Sequence, residues 1–193
     1  SDFYRRFEGG YLSVYSSIFP KHLPNDGKVI EAGCGRAQYV VALRKLGYDC
    51  EGIDTAVSTI DQVNKRFPEL PVSRGDVLDL EYETSSISGY ISLGVVEHFR
   101  EGPEQALAEA FRVIEPGGVG VISVPVNNPL RSRFAASDES ELPENARFYQ
   151  YAFDRKEFDG FLTGAGFVIE KYYAQGLYYS MKAGIPMFQS ISR

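Results

Sequence analysis

From Lys28 to Tyr173 the chain alternates short apolar runs with stretches whose apolar residues recur at helical spacing, and this alternation limits the fold more than any other feature. Lys28–Ala32 (KVIEA) reads as a first strand that stops at Gly33-Cys34-Gly35. Ala37–Leu46 places Val40, Leu43 and Leu46 on one helix face, and Gly47 ends it. Tyr48–Asp54 is a second strand. Ala56–Phe67 is a second helix, with Val57, Ile60, Val63 and Phe67 on one side and Pro68 as its stop. A short strand, Pro71–Arg74, is followed by a fourth at Gly89–Val95. Pro103 opens another helix, Glu115–Gly118 forms a turn, and Val119–Val126 has the composition of a buried strand. Asp154-Arg155-Lys156-Glu157 is a capping box for a helix that buries Phe158, Phe161 and Leu162, ahead of a sixth strand at Phe167–Tyr173.

Strands separated by helices require right-handed crossovers, which build a mostly parallel sheet covered on both faces. The expected fold is therefore α/β, Rossmann-like and doubly wound. Ala174–Arg193 has no clear period, so the sheet is expected to lack a last antiparallel strand. Residues 1–27 carry Phe3, Phe7, Tyr11, Tyr15 and Phe19 at four-residue steps, a stripe on one broad helical face broken at Gly9-Gly10. They read as an N-terminal helical cover that packs on the sheet, roofs a ligand, or does both. Residues 28–193 form the main domain, with a polar, proline-interrupted insertion at about 127–150 that reads as a lid or as a solvated connection.

The charge balance is 20 − 26 = −6, without a Lys/Arg cluster, which disfavours general nucleic-acid binding. Cys34 and Cys50 make neither a disulfide framework nor a zinc quartet, as suits a reducing compartment. There is no apolar run of membrane-spanning length and no basic-then-apolar leader, so the expected setting is cytoplasmic, without a membrane partner. The sequence carries no signature of an oligomeric state.

Ligands on such sheets sit beyond the carboxyl ends of the strands, at the point where strand order reverses. Strand one ends in Glu31-Ala32-Gly33-Cys34-Gly35-Arg36, where two glycines allow a tight turn and close backbone approach. The dinucleotide fingerprint wants a third glycine at position 38, which is Gln38, so pyrophosphate binding loses ground. Strand two ends in Asp54, beside Thr55, at a spacing that suits an acid accepting from ribose hydroxyls. Strand three ends in Asp76, placed for an adenine amino group, with the Val77 N–H for a ring nitrogen and Ile53 and Leu93 to enclose the base. Three carboxylates would repel a pyrophosphate and tolerate a cationic nucleoside.

These residues resemble a known family. EAGCGRA, Asp54, GDVLDL, SLGVVEHF, EPGG and the helix before AGF are similar to class I S-adenosylmethionine-dependent methyltransferases, in particular small-molecule enzymes with Glu-His after the fourth strand. The resemblance spans roughly residues 28–173. It implies that Gly33, Cys34 and Gly35 make room for the methionine portion and that Glu31 orients its amino group. It assigns Asp54 and Thr55 to the ribose, Asp76 and Val77 to adenine, and the Leu93–Gly94 backbone to the methionine ammonium. Residues 28–193 would then be the cofactor-binding domain, yielding S-adenosylhomocysteine as product. Ala37 stands where the family's last loop glycine is usual, and Glu31 where Asp is commoner.

Methyl transfer from a sulfonium is an in-line displacement that depends mainly on alignment. His98, just after strand four, is the candidate general base for a small-molecule acceptor with an oxygen, nitrogen or carbon nucleophile; holding the loop by hydrogen bonds is its competing role. Tyr151, with Tyr149 and Phe153, is the second candidate at the acceptor pocket, and Arg131, Arg133 and Arg147 stand on the adjacent insertion. Tyr11, Tyr15 and Phe99 are candidates for cation–π contact with the sulfonium. No metal site is expected, because the only other histidine is His22 and Gly94 stands where a first acid would be needed. A nicotinamide-dependent oxidoreductase and a non-catalytic nucleoside-binding module are the alternatives.

Overall fold

The computed structural model describes residues 2–127, 148–174 and 185–192. Seven strands form one sheet in the order β3-β2-β1-β4-β5-β7-β6. β1 (Lys28–Ala32), β2 (Asp49–Asp54), β3 (Val72–Arg74), β4 (Ile87–Leu93) and β5 (Ile114–Val126) pair in parallel. β7 (Ile185–Ser192) lies antiparallel between β5 and β6 (Val168–Ala174). The expectation that the last antiparallel strand is missing is thereby corrected. β7 runs along the second part of β5, from Val119↔Ser192 to Val126↔Ile185, so it rests on a partner distant in sequence as well as on the preceding strand β6.

β5 also starts earlier than expected. Glu115–Gly118 reads as a turn, yet the strand opens at Ile114, opposite Ile87, and resumes at Val119, opposite Gly89. The register shift absorbs the extra residues as a bulge, with Gly117 at φ +85°.

Alternation along the strands splits the core in two. Val29, Ile91 and Val121 face one side, under the N-terminal segment and helices α3 (Gln38–Lys45) and α4 (Val57–Arg66). Ile30, Tyr90 and Ile122 face the other, under α5 (Glu104–Val113) and α6 (Arg155–Gly164). The Asp154 capping box is present, with its side chain accepting from the first turn of α6 and Glu157 reaching back to the cap.

The N-terminal stripe forms four short pieces: α1 (Asp2–Arg5), two 3-10 turns at Phe7–Gly9 and Ser13–Tyr15, and α2 (Phe19–His22). Its rings interlock around Tyr39 of α3, which stands edge-on to Phe7, Tyr15 and Phe19 at 5.8, 5.0 and 5.8 Å. Tyr15 and Phe19 are buried against the domain. Strand order reverses between β1 and β4, which places the crevice of this fold beside Gly33 and Gly94.

Candidate functional site

At that reversal a cleft of about 280 Å³ opens at the carboxyl ends of the first four strands. It is lined by Gly33 after β1, Asp54 and Thr55 at the end of β2, Gly75, Asp76 and Val77 after β3, and Gly94, Val95, His98 and Phe99 after β4. Gly33 is required there: its φ is +83°, and a Cβ would sit 2.4 Å from Cγ2 of Val95 across the cleft.

Asp54 is fixed by backbone before any ligand is considered. Its Oδ2 accepts the Gly35 N–H at 2.7 Å and its Oδ1 accepts the Ala56 N–H at 2.8 Å. The loop is further tied down by the N–H groups of Gly33 and Cys34, which both donate to the Ile53 carbonyl at 2.8 and 2.9 Å. Each carboxylate oxygen retains a second lone pair for a hydroxyl donor. Asp76 accepts the Leu78 N–H at 2.9 Å on Oδ1, an Asx-type turn that leaves the carboxylate exposed at the cleft.

Two further carboxylates lie buried behind the wall. Glu31 is 3% exposed, and its Oε2 has no hydrogen-bond partner among the described residues. Burial raises its carboxyl to about 8, the Val40 N–H opposes that by hydrogen bonding, and the Asp54 charge adds to it. Glu97, at the 3-10 turn Val96–His98, is also buried, and burial lifts it to about 7. Its Oε1 lies 3.4 Å from where a Cβ of Gly94 would be, and its Oε2 likewise has no partner among the described residues. Glu31 is therefore mainly protonated at neutral pH and Glu97 is poised between its two forms, and an approaching cation favours the ionised form of each.

The His98 Nδ1 lies 2.8 Å from the Tyr149 carbonyl. A carbonyl only accepts, so Nδ1 carries a proton and Nε2 is the ring nitrogen left to face the cleft chemistry. Residues 149–151 clasp this turn: the Tyr151 N–H donates to the Glu97 carbonyl at 2.8 Å, and the Tyr151 hydroxyl donates to the Arg100 carbonyl at 2.7 Å.

Of the residues expected to hold a cofactor, Gly33, Asp54, Thr55, Asp76, Val77 and Gly94 meet at the cleft, and His98 and Phe99 join them. Glu31 and Cys34 sit behind the glycine bend, where burial pushes the Cys34 thiol up and leaves it a packed, inert group. Gly35 contributes its amide to Asp54 rather than lining the cleft. Leu93 packs with the N-terminal cluster, on the opposite side from the core that holds Ile53, so the two do not form an adenine sandwich. Tyr151 grips the backbone of the His98 turn, and Tyr11 and Tyr15 are not among the lining residues. Arg131, Arg133 and Arg147, and most of the expected lid, lie outside the described residues. Gly75 and Val95 went unread; each is a direct neighbour of a residue that was read, Asp76 and Gly94.

A parallel α/β sheet with acids at its strand ends and a glycine bend at the reversal is a setting suited to a nucleoside ligand. Comparison with known proteins narrows this: residues 30–122 match the family described as "Methyltransferase domain". A probable S-adenosylmethionine-dependent methyltransferase of Mycolicibacterium smegmatis is 28% identical over 142 residues, covering 74% of this chain and 52% of that protein. A chloroplastic 2-methyl-6-phytyl-1,4-hydroquinone methyltransferase of Oryza sativa is 27% identical, covering 70% and 42%. The chain thus spans about half the length of the curated relatives it matches. A solved methyltransferase from Methanosarcina mazei superposes with a TM-score of 0.74 at 20% identity, covering 91% of this chain and 96% of that one. Geranyl diphosphate C-methyltransferase from Streptomyces coelicolor, solved with S-adenosyl-L-homocysteine, superposes with a TM-score of 0.70 at 18% identity, covering 93% and 80%. Over residues 30–122 the chain is thus similar to the methyltransferase domain family, and its fold is that of solved S-adenosylmethionine-dependent methyltransferases.

Proposed function

We propose that this chain binds S-adenosylmethionine in the cleft at the reversal of strand order and transfers its methyl group to a small-molecule acceptor, releasing S-adenosylhomocysteine. The observation that carries this reading is the meeting of Gly33, Asp54, Asp76, Gly94 and His98 in one cleft, with two buried carboxyls behind it, each with one oxygen that has no partner among the described residues. The donor set fits the cofactor: Asp54 accepts from ribose hydroxyls, Asp76 from the adenine amino group, and Glu31 and Glu97 answer the positive charges of ammonium and sulfonium. When bound, the cofactor supplies an electrophilic methyl on sulfur. His98 accepts the acceptor's proton on Nε2 while the Tyr149 carbonyl accepts from its Nδ1–H and holds the ring in place. Tyr151 acts through the His98 turn as a positioning residue.

Residues 1–27 act as the cover of residues 28–193. The acceptor is a small molecule rather than a nucleic acid, in keeping with the charge of −6. A cytoplasmic setting rests on two free, buried cysteines. Among the described residues no helix is long and apolar enough to cross a membrane.

Isothermal calorimetry with S-adenosylmethionine and with NAD tests the reading. The first binds to one site and the second does not; tighter binding of NAD overturns it.

A further inference from the structure

A second pocket, of about 200 Å³, lies on the outer side of the glycine loop and is lined by Tyr4, Arg36, Thr59, Gln62, Val63 and Arg66. None of these residues borders the cofactor cleft. Thr59, Gln62, Val63 and Arg66 follow one another at helical spacing on one face of α4, with Val63 buried as the floor. Tyr4, from α1, closes the opposite side and donates its hydroxyl to the Arg36 carbonyl at 2.9 Å.

Both guanidiniums are stacked on aromatic rings, and one of them, Arg66, is also paired. Arg36 lies over the Phe3 ring at 3.8 Å and over Tyr4 at 5.7 Å, and Arg66 lies over Tyr4 at 5.6 Å and Phe67 at 5.2 Å. Both therefore sit within 5.7 Å of one ring centroid. A stacked guanidinium keeps its N–H edge free for an acceptor in the ring plane. Arg66 donates to Glu8 at 3.2 Å, whereas the Arg36 guanidinium has no carboxylate or carbonyl partner among the described residues. Two positive charges face one negative, 2 − 1 = +1, in a chain of net charge −6. Thr59 and Gln62 add a hydroxyl and an amide to the same wall.

We propose that this pocket is an anion site for the phosphate of a phosphomonoester, held by Arg36 and Arg66 and flanked by Thr59 and Gln62. Tyr4 and Val63 give it an apolar wall against which the ester's organic part lies. The site stands independently of the cofactor assignment, because it shares no residue with the cleft. Arg36 directly follows Gly35, whose amide holds Asp54, so the pocket and the cleft are joined through one short loop.

Titrating phenyl phosphate into the isotope-labelled protein and following backbone amide shifts by NMR tests the proposal. Saturable shifts centred on Thr59, Gln62 and Val63 are expected, with phenol and sodium chloride at matched concentration failing to reproduce them. Arg36→Gln weakens binding by about tenfold or more, the loss that accompanies removal of a charge-assisted hydrogen bond. Because Arg66→Gln would also disturb its link to Glu8, Gln62→Glu is the companion variant. Residue 62 is exposed, and a carboxylate there abolishes phosphate binding without touching the core. The proposal is overturned if phenol gives the same shifts, if Gln62→Glu leaves affinity unchanged, or if saturating S-adenosylhomocysteine expels phenyl phosphate. The last result would make the arginines part of the cofactor site.

Discussion

Replacing Glu31 by glutamine removes a buried acid without changing its shape, and its effect on stability has a definite sign. The carboxyl is raised from 4.5 to about 8, chiefly by burial. A group whose pKa rises on folding binds more protons in the folded state, so its contribution is complete below about pH 4.5 and disappears as pH climbs through about 8. At about 1.4 kcal/mol per pH unit, the cofactor-free wild-type protein loses about 5 kcal/mol of stability to Glu31 across that window. Glu97, raised from 4.5 to about 7, acts in the same direction over the lower part of the window. In Glu31→Gln the side-chain oxygen still accepts the Val40 N–H, and the amide takes the place of the unpaired oxygen as the neutral acid's hydroxyl does. Urea denaturation at about pH 5, 7 and 8.5 measures the difference. The variant matches the wild type at the lowest pH and exceeds it by several kcal/mol at the highest, on the arithmetic above. Parallel pH curves for the two proteins would refute the claim that Glu31 is a neutral acid in the cofactor-free fold.

Four further outcomes follow from the site. Gly33→Ala, strained at φ +83° and within 2.4 Å of Val95, costs about 2 kcal/mol in thermal denaturation and abolishes S-adenosylmethionine binding by calorimetry. Asp54→Asn turns one of two accepting oxygens into a donor facing the Gly35 or Ala56 N–H, lowering stability by about 1–3 kcal/mol and nucleoside affinity by about tenfold or more. His98→Gln lowers the methyl-transfer rate to a protonated acceptor by about 100-fold or more and flattens its pH profile, while cofactor affinity stays level. Ala37→Val, at a buried position with φ +55°, destabilises by about 2 kcal/mol in the same denaturation assay.

Local chemistry was legible from the chain and long-range partnership was not. β1 is bounded in the sequence by an apolar run and a glycine pair, and α6 by its capping box, so both could be read directly. β7 (IPMFQSIS) carries two serines and a proline, and it becomes a strand because β5 and β6 offer it a slot. Glu115–Gly118 has turn composition but sits inside β5, since Ile114 finds a partner in Ile87. At the site, Asp54 and Asp76 were legible as acids at strand ends. That backbone amides already occupy one lone pair on each Asp54 oxygen was not, because it depends on how Gly35 and Ala56 fold back. That the Leu93 side chain packs with the N-terminal cluster was not legible for a related reason: which side of the sheet a strand-end residue faces depends on pleat and register rather than on residue type.

The Asp54 bridge between Gly35 and Ala56 has a kinetic corollary. Since the carboxylate spans two loops from adjacent strands, the proposed nucleoside socket is already assembled when the guest arrives. Little ordering entropy is left to lose on capture, and the encounter resembles a key entering a finished lock more than a hand closing a glove.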